Sequence, residues 1–153
     1  NYIQELELSV MEDGQAKYRT LLKKEEGFVR DWKFRHAVLS AYDFTCCISK
    51  LNFDPPQPII EACHIQPFAD SGNNHITNGI PLCTNLHRAF DAGILSLNDN
   101  FEVLIKGKKE FKEHLHSTYN IRQFEDSKIV LPKKLALYPD LGNLKWHRAY
   151  HGF

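Results

Sequence analysis

The sequence predicts an α+β fold in which short strands and short helices alternate within one small domain. The 153 residues are 42% hydrophobic and 25% charged, which is close to the average of globular proteins and sufficient for one core. Runs rich in β-branched and aromatic residues predict strands at 44–48, 58–65, 94–97 and 101–105. Segments of helical character lie around them, at 31–42, 83–91, 109–119 and 141–151.

Residues 1–30 are predicted to form an N-terminal helical or linker segment, and residues 31–153 the domain itself. No run of residues approaches the roughly 18 consecutive apolar residues of a membrane helix, so no membrane partner is expected. The first residues show neither a signal peptide nor an initiator Met, which suggests a piece of a longer protein. The adjacent Cys46 and Cys47 do not suggest a disulfide framework, so we expect a reducing, cytoplasmic setting.

The first helix is predicted from apolar residues that alternate with polar ones, at Trp32, Ala37, Leu39 and Tyr42. A turn at Asp43 leads into the strand at 44–48, and a Pro-rich loop precedes the strand at 58–65. We expect these two strands to pair as a hairpin.

The rest of the chain is divided by turn residues. Residues 66–79 are predicted to be a loop, and the helix at 83–91 ends before Gly93. The strands at 94–97 and 101–105 flank a turn at 98–100. A helix, an extended segment and a final helix follow, at 109–119, 129–132 and 141–151.

The formal net charge is zero, but it arises by cancellation. Residues 31–100 carry four basic and seven acidic side chains, whereas residues 101–153 carry ten basic and six acidic ones. A neutral total therefore does not exclude a nucleic-acid partner, because the basic third can serve phosphates while the middle third holds the unusual His, Cys and Asn residues.

Three residues of the middle third suggest chemistry: His64 in a strand, Asn78 in a loop and His87 in a helix. One imidazole can take a proton from water while another binds a divalent ion, and together they suffice to hydrolyse a phosphodiester. Because neighbouring residues of a strand face opposite sides, we expect His64 to face the helix and Cys63 to face away.

Three ordered segments carry a resemblance to a known family. They read Glu-Ala-Cys-His-Ile-Gln-Pro at 61–67, Thr-Asn-Gly-Ile-Pro-Leu-Cys at 77–83 and Leu-His-Arg-Ala-Phe-Asp-Ala-Gly-Ile-Leu-Ser-Leu at 86–97. This series closely resembles the ββα-metal motif of the HNH endonuclease family. Residues 34–49 and 144–153 resemble the flanking segments of its restriction-endonuclease-like branch, so the resemblance runs from Phe34 to the end.

The resemblance implies a ββα-metal core of a hairpin plus a helix, with flanking helices and short strands. It implies that His64 is the general base, that Asn78 orients the loop and the base, and that His87 is the metal ligand. Asp91 lies one turn after His87 on the same helix face. It either supports the ligand or stabilises the turn before Gly93.

Two departures from the family pattern affect the expected metal. Many members have Asp or His where this chain has Cys63, and a thiolate suits zinc better than magnesium. We therefore expect the divalent ion to be held by His87, phosphate oxygens and waters with little other protein help, so that binding is weak without DNA. Cys63 and Glu61 are candidate supporting residues, Glu61 as a further oxygen ligand. The expected ion is Mg²⁺, with Mn²⁺ or another transition metal as the alternatives. A structural zinc is not expected, because both Cys-x-x-Cys pairs are broken, at Ser49 and Leu86.

The implied function is a divalent-metal-dependent DNA endonuclease, as the nuclease domain of a restriction or defence protein. We expect basic side chains to hold the DNA backbone, at Arg35, Arg88, Lys106, Lys108 and Lys109. The expected partners are DNA, a second copy in a homodimer and a recognition domain upstream of Asn1. Two alternatives stay open: a non-specific toxin-type nuclease, and a non-catalytic nucleic-acid-binding module on the same scaffold.

Overall fold

A computed structural model describes residues 23–24, 26–107, 109–110, 112–113 and 119–153. The chain divides into two units, Asn1–Lys33 and Phe34–Phe153. Residues 26–33 of the first unit are helical. Within the described residues no helix is long and apolar enough to cross a membrane.

The second unit begins with helix α1, residues 34–41. Its buried face consists of Phe34, Val38 and Leu39, at the spacing of successive helical turns. The predicted helix is confirmed over these residues, but Trp32 is 56% exposed and does not belong to the apolar face.

The central hairpin pairs strand β1, Ile60–His64, with strand β2, Gly79–Cys83, in antiparallel register from Ile60 opposite Cys83 to His64 opposite Gly79. Helix α3, Thr84–Asp91, starts directly after β2 and packs on both strands. This ββα unit is the predicted core. Gly79 is required there, because a Cβ atom would lie 2.4 Å from Cγ2 of Val38.

The partner of β1 differs from the prediction. The predicted strand at 44–48 is wrong, because residues 42–44 and 47–49 are turns. Left-handed backbone at Asp43, Phe44 and Lys50 closes these turns and prevents a continuous ladder. Strand β2 was not predicted, because its segment contains Gly79 and Pro81, which are unfavourable in a strand.

The second pair of strands follows the predicted order, but the segment 66–79, predicted as a loop, contains a short helix and a 3₁₀ helix. Helix α2, Phe68–Ser71, lies in the loop between β1 and β2, and strands β3 and β4 form a second antiparallel pair, Leu95–Leu97 with Val103–Ile105. Three short 3₁₀ helices span Ile76–Asn78, Ile121–Phe124 and Leu135–Leu137. Most of the helix predicted at 109–119 lies outside the described residues.

Helix α4, Leu141–His151, confirms the predicted final helix. Leu144 and His147 of this helix are buried and pack against the core. The side chain of Asp140 accepts a hydrogen bond from the backbone nitrogen of Asn143, and the helix ends at Gly152 in left-handed conformation. The ammonium of Lys106 donates to the last carbonyls, those of His151 and Gly152.

Candidate active site

His64 lies at the end of β1 with its ring held from two sides. The ring stacks on Phe34, with 3.8 Å between centroids and 4° between planes. Its Nε2 atom lies 2.7 Å from Oδ1 of Asn74. Because an amide oxygen only accepts hydrogen bonds, this contact places the hydrogen of a neutral imidazole on Nε2 and the lone pair on Nδ1. Asn74 and Phe34 were not predicted as site residues.

Asn78 is buried and holds the loop between β1 and β2. Its Oδ1 accepts from the backbone nitrogen of Gln66 at 3.0 Å. Its Nδ2 donates to the carbonyls of Gln66 and Asn73, both at 2.9 Å. Asn74 follows Asn73 directly, so the amide that fixes this loop also fixes the partner of His64.

His87 projects from α3 between two carboxylates. Its Nδ1 lies 2.6 Å from Oε2 of Glu61 on β1, and its Nε2 lies 3.4 Å from Oδ2 of Asp91 one turn later. When the His87 ring is neutral and its Nδ1 hydrogen is donated to Glu61, the lone pair on Nε2 points toward Asp91. Two acceptors that face each other need a shared proton or a cation between them.

Cys63 does not face away from the helix as expected. Its Sγ lies 3.8 Å from Oδ1 of Asp91, whereas the neighbouring His64 stacks on α1. The side chains of β1 alternate between its two faces as predicted, but each points to the opposite face from the one expected. Glu61 and Cys63 therefore both face α3. Burial raises the pKa of the Cys63 thiol, and the Asp91 carboxylate raises it further, so the thiol stays protonated near neutral pH.

Cys63, His87 and Asp91 form a cluster of the kind that can hold a metal ion once its donor atoms draw slightly closer together. Each offers one ligand atom, and the three atoms lie within 4.8 Å of one another. Atoms that bind the same ion at about 2.0–2.2 Å typically lie roughly 3 to 4 Å apart. The imidazole and carboxylate are ready donors, whereas the thiol must first lose its proton. Glu61 contacts Nδ1, on the far side of the His87 ring.

The two histidines line one pocket of about 490 Å³. Its wall includes His64, His87 and Asp91 from the ββα unit and Trp146, Tyr150 and His151 from α4. The structure thus brings the predicted base and the predicted ligand to a common cavity. The contribution of α4 was not predicted, because nothing in the sequence indicates which face of that helix closes the pocket.

The predicted backbone-binding cations differ in their surroundings. Arg35 contacts the carbonyl of Ile60 at 3.4 Å, and Lys106 is engaged at the end of α4. Arg88 follows His87 on α3 and is exposed, and its side chain makes no hydrogen bond or ion pair with the described residues. Lys109 is exposed in a turn. Lys108 lies outside the described residues.

The cysteines outside the site, Cys46, Cys47 and Cys83, are buried and form no disulfide. Cys46 and Ser49 lie in one turn, where the Ser49 backbone nitrogen donates to the Cys46 sulfur at 3.4 Å. A buried thiol can pack as a small apolar side chain.

Comparison with known proteins agrees with the ββα geometry. Residues 46–98 match the family described as HNH endonuclease. The chain is also similar to the solved structure of a modification-dependent TagI restriction endonuclease, with a TM-score of 0.52 and 19% sequence identity. That likeness concerns the fold; it covers 77% of this chain but 37% of the TagI chain, so the present chain spans little more than a third of its relative. No curated protein matches the chain.

The matched residues include both strands of the central hairpin and the whole of α3, and with them His64, Asn78 and His87. Residues 46–98 therefore form a domain that matches the HNH endonuclease family.

Proposed function

We propose that the chain is a divalent-metal-dependent DNA endonuclease in which His64 is the general base. The observation that carries the proposal is the common pocket of His64, His87 and Asp91. Only a pocket that holds a base and a cation-binding pair together can activate water and neutralise a phosphate at the same place. The family match supports the same class of reaction.

His64 would take the proton of the attacking water on Nδ1. Asn74 keeps the hydrogen on Nε2, and the stack on Phe34 fixes the ring plane, so the base needs no reorientation. An imidazole titrates near neutral pH and can release that proton to solvent after each turnover.

His87 and Asp91 would hold the divalent ion, with Cys63 beside them and Glu61 fixing the ring of His87. When bound, such an ion supplies positive charge at the phosphate and at the departing oxygen. The carboxylate of Asp91 suits Mg²⁺ or Mn²⁺, whereas the imidazole of His87 suits a transition-metal ion better than Mg²⁺. The protonated thiol of Cys63 disfavours tight zinc binding in this state.

Arg88 is the cation best placed for the DNA backbone, because it is exposed next to His87 on α3. Four other basic residues remain predicted contacts of the DNA backbone: Arg35, Lys106, Lys108 and Lys109. A homodimer and a recognition domain elsewhere in a longer protein belong to the same proposal, because a double-strand break needs two cuts and phosphate contacts do not read sequence. A role in restriction or defence inside the cell follows from the proposed activity.

The proposal is tested on supercoiled plasmid DNA with Mg²⁺, with Mn²⁺ and with a chelator. We expect nicked or linear plasmid with either metal and none with the chelator. His87→Ala should abolish cleavage and weaken Mn²⁺ binding, measured calorimetrically, by about tenfold or more. The matched control is His36→Ala, since His36 is exposed on α1 and does not line the pocket.

Cleavage of RNA substrates and retention of DNA on a filter separate the two alternatives. A toxin-type nuclease would cut RNA and DNA without preferred sites. A binding module would retain DNA on a filter and leave it intact with every metal. Retention of DNA without cleavage contradicts the proposed endonuclease, and equal cleavage of RNA contradicts its preference for DNA.

A further inference from the structure

Two aromatic rings of α4 form a stacked pair at the pocket, in which Trp146 is partly buried and Tyr150 is exposed. Trp146 and Tyr150 lie one helical turn apart, with 4.8 Å between ring centroids and 12° between planes. Tyr150 is 68% exposed, and His151 meets it edge to face at 4.9 Å. The pair therefore presents a flat aromatic surface to solvent at a place where burial would have been favourable.

The helix that carries the pair is held firmly in place. Leu144 and His147 anchor its inner face in the core. The guanidinium of Arg148 donates to the carbonyl of Leu97 at 2.7 Å and to Asp99 at 2.6 Å. A surface fixed in this way loses little conformational entropy when a ligand packs on it.

The pair also lies in the pocket that contains His64 and His87. A phosphate that enters this pocket therefore comes near the rings of Trp146 and Tyr150, which line the same wall. The stacked pair is therefore continuous with the proposed catalytic site, and its occupant is a part of the same nucleic acid.

We propose that Trp146 and Tyr150 form a subsite for one unstacked nucleobase of the strand that is cut. This inference rests on the proposed nuclease function. In a regular duplex both faces of a base are covered by its neighbours, whereas a base in a single strand or an extruded base has a free face. An aromatic ring accepts such a face without reading its identity.

The test measures binding separately from cleavage, on the full chain with His64→Ala to prevent turnover. The probe is a short single-stranded DNA oligonucleotide that carries 2-aminopurine, whose fluorescence falls on stacking. We expect Tyr150→Ala to raise its Kd by about 5- to 100-fold and Tyr150→Phe to leave the Kd nearly unchanged. Leu135→Ala is the matched control, because Leu135 is 77% exposed and does not line the pocket.

An oligonucleotide with an abasic site in place of 2-aminopurine completes the test. We expect Tyr150→Ala to affect the binding of the abasic strand less than that of the intact one. Equal loss for both strands would assign the pair to the sugar-phosphate backbone and overturn the subsite. An unchanged Kd in Tyr150→Ala, with plasmid cleavage by the wild type intact, would overturn the subsite alone. Absence of both DNA binding and cleavage in the wild type would overturn the proposed function as well.

Discussion

The amide oxygen of Asn74 lies 2.7 Å from Nε2 of His64 and leaves Nδ1 of the same ring without a hydrogen-bond partner among the described residues. This relationship assigns Asn74 a positioning role, since it determines which nitrogen of His64 can accept a proton. A loop residue therefore completes a site whose other members lie on a strand and a helix.

The variant Asn74→Asp tests this role through the pH profile. A carboxylate at this position stabilises the imidazolium of His64 and raises its pKa, and the base acts only when neutral. We expect the rise of the cleavage rate on the acid side of the pH–rate profile, its acid limb, to shift to higher pH. Single-turnover rates between pH 5 and 9 measure this shift. Asn100→Asp, in an exposed turn, should keep the wild-type limb. An unchanged limb in Asn74→Asp would remove Asn74 from the account of the base.

Asn78 should matter first for stability. Asn78→Ala removes three hydrogen bonds and leaves partly buried backbone groups of Gln66 and Asn73 unpaired. We expect the free energy of unfolding in urea to fall by about 3 kcal/mol. Asn85→Ala is the matched control on the exposed face of α3. If Asn78→Ala unfolds at the same urea concentration as Asn85→Ala, the buried amide does not hold the loop.

Gly93 should tolerate no side chain, for two separable reasons. Its φ is +66°, and a Cβ atom would lie 2.2 Å from Nδ1 of His151. Gly72 has a similar φ of +62° but open space around it. We expect Gly72→Ala to lower the free energy of unfolding by about 1 kcal/mol from backbone strain alone. Gly93→Ala should cost more, because it also displaces the end of α4; equal losses would contradict this packing.

His147 makes stability depend on pH. Burial is the main reason that its pKa is lowered from 6.5 to about 4, with the charges of His151 and Arg148 adding to the effect. Between these values the unfolded chain binds more protons than the folded chain. Stability should be full above pH 6.5 and fall as the pH drops toward 4, by about 3 kcal/mol in total.

The variant His147→Gln should lose most of this dependence. The amide can replace the contacts with Ser96 and the carbonyl of Phe90 without titrating. Urea unfolding at pH 7.5 and pH 5 measures the difference. The exposed His36→Gln should behave as the wild type. A wild-type slope in His147→Gln would place the titrating group elsewhere.

The sequence predicted the ββα core and its three motif residues because each motif is local. The apolar runs at β3 and β4, the stop at Gly93 and the final helix depend on nearby residues and were predicted correctly. The predicted partner of β1 was wrong, because Gly79 and Pro81 are unfavourable in a strand and hide the strand character of β2 in the sequence. The pairing of β1 with β2 also depends on contacts between segments that a long loop separates.

The candidate site was predicted in part for the same reason. His64, Asn78 and His87 could be named from motifs, and the i, i+4 spacing of His87 and Asp91 follows from helical geometry. The phase of Cys63, the contact with Asn74 and the aromatic pair of α4 depend on how distant segments pack. No local pattern carries that information.

The most direct test of the central proposal is the single-turnover rate of plasmid cleavage by His64→Ala and His36→Ala with Mn²⁺. General-base catalysis contributes about 10² to 10⁴ to a rate. We expect His64→Ala to cleave at least about 100-fold more slowly than the wild type, with unchanged DNA binding, and His36→Ala to cleave at the wild-type rate. A wild-type rate in a folded His64→Ala protein would show that His64 is not the base.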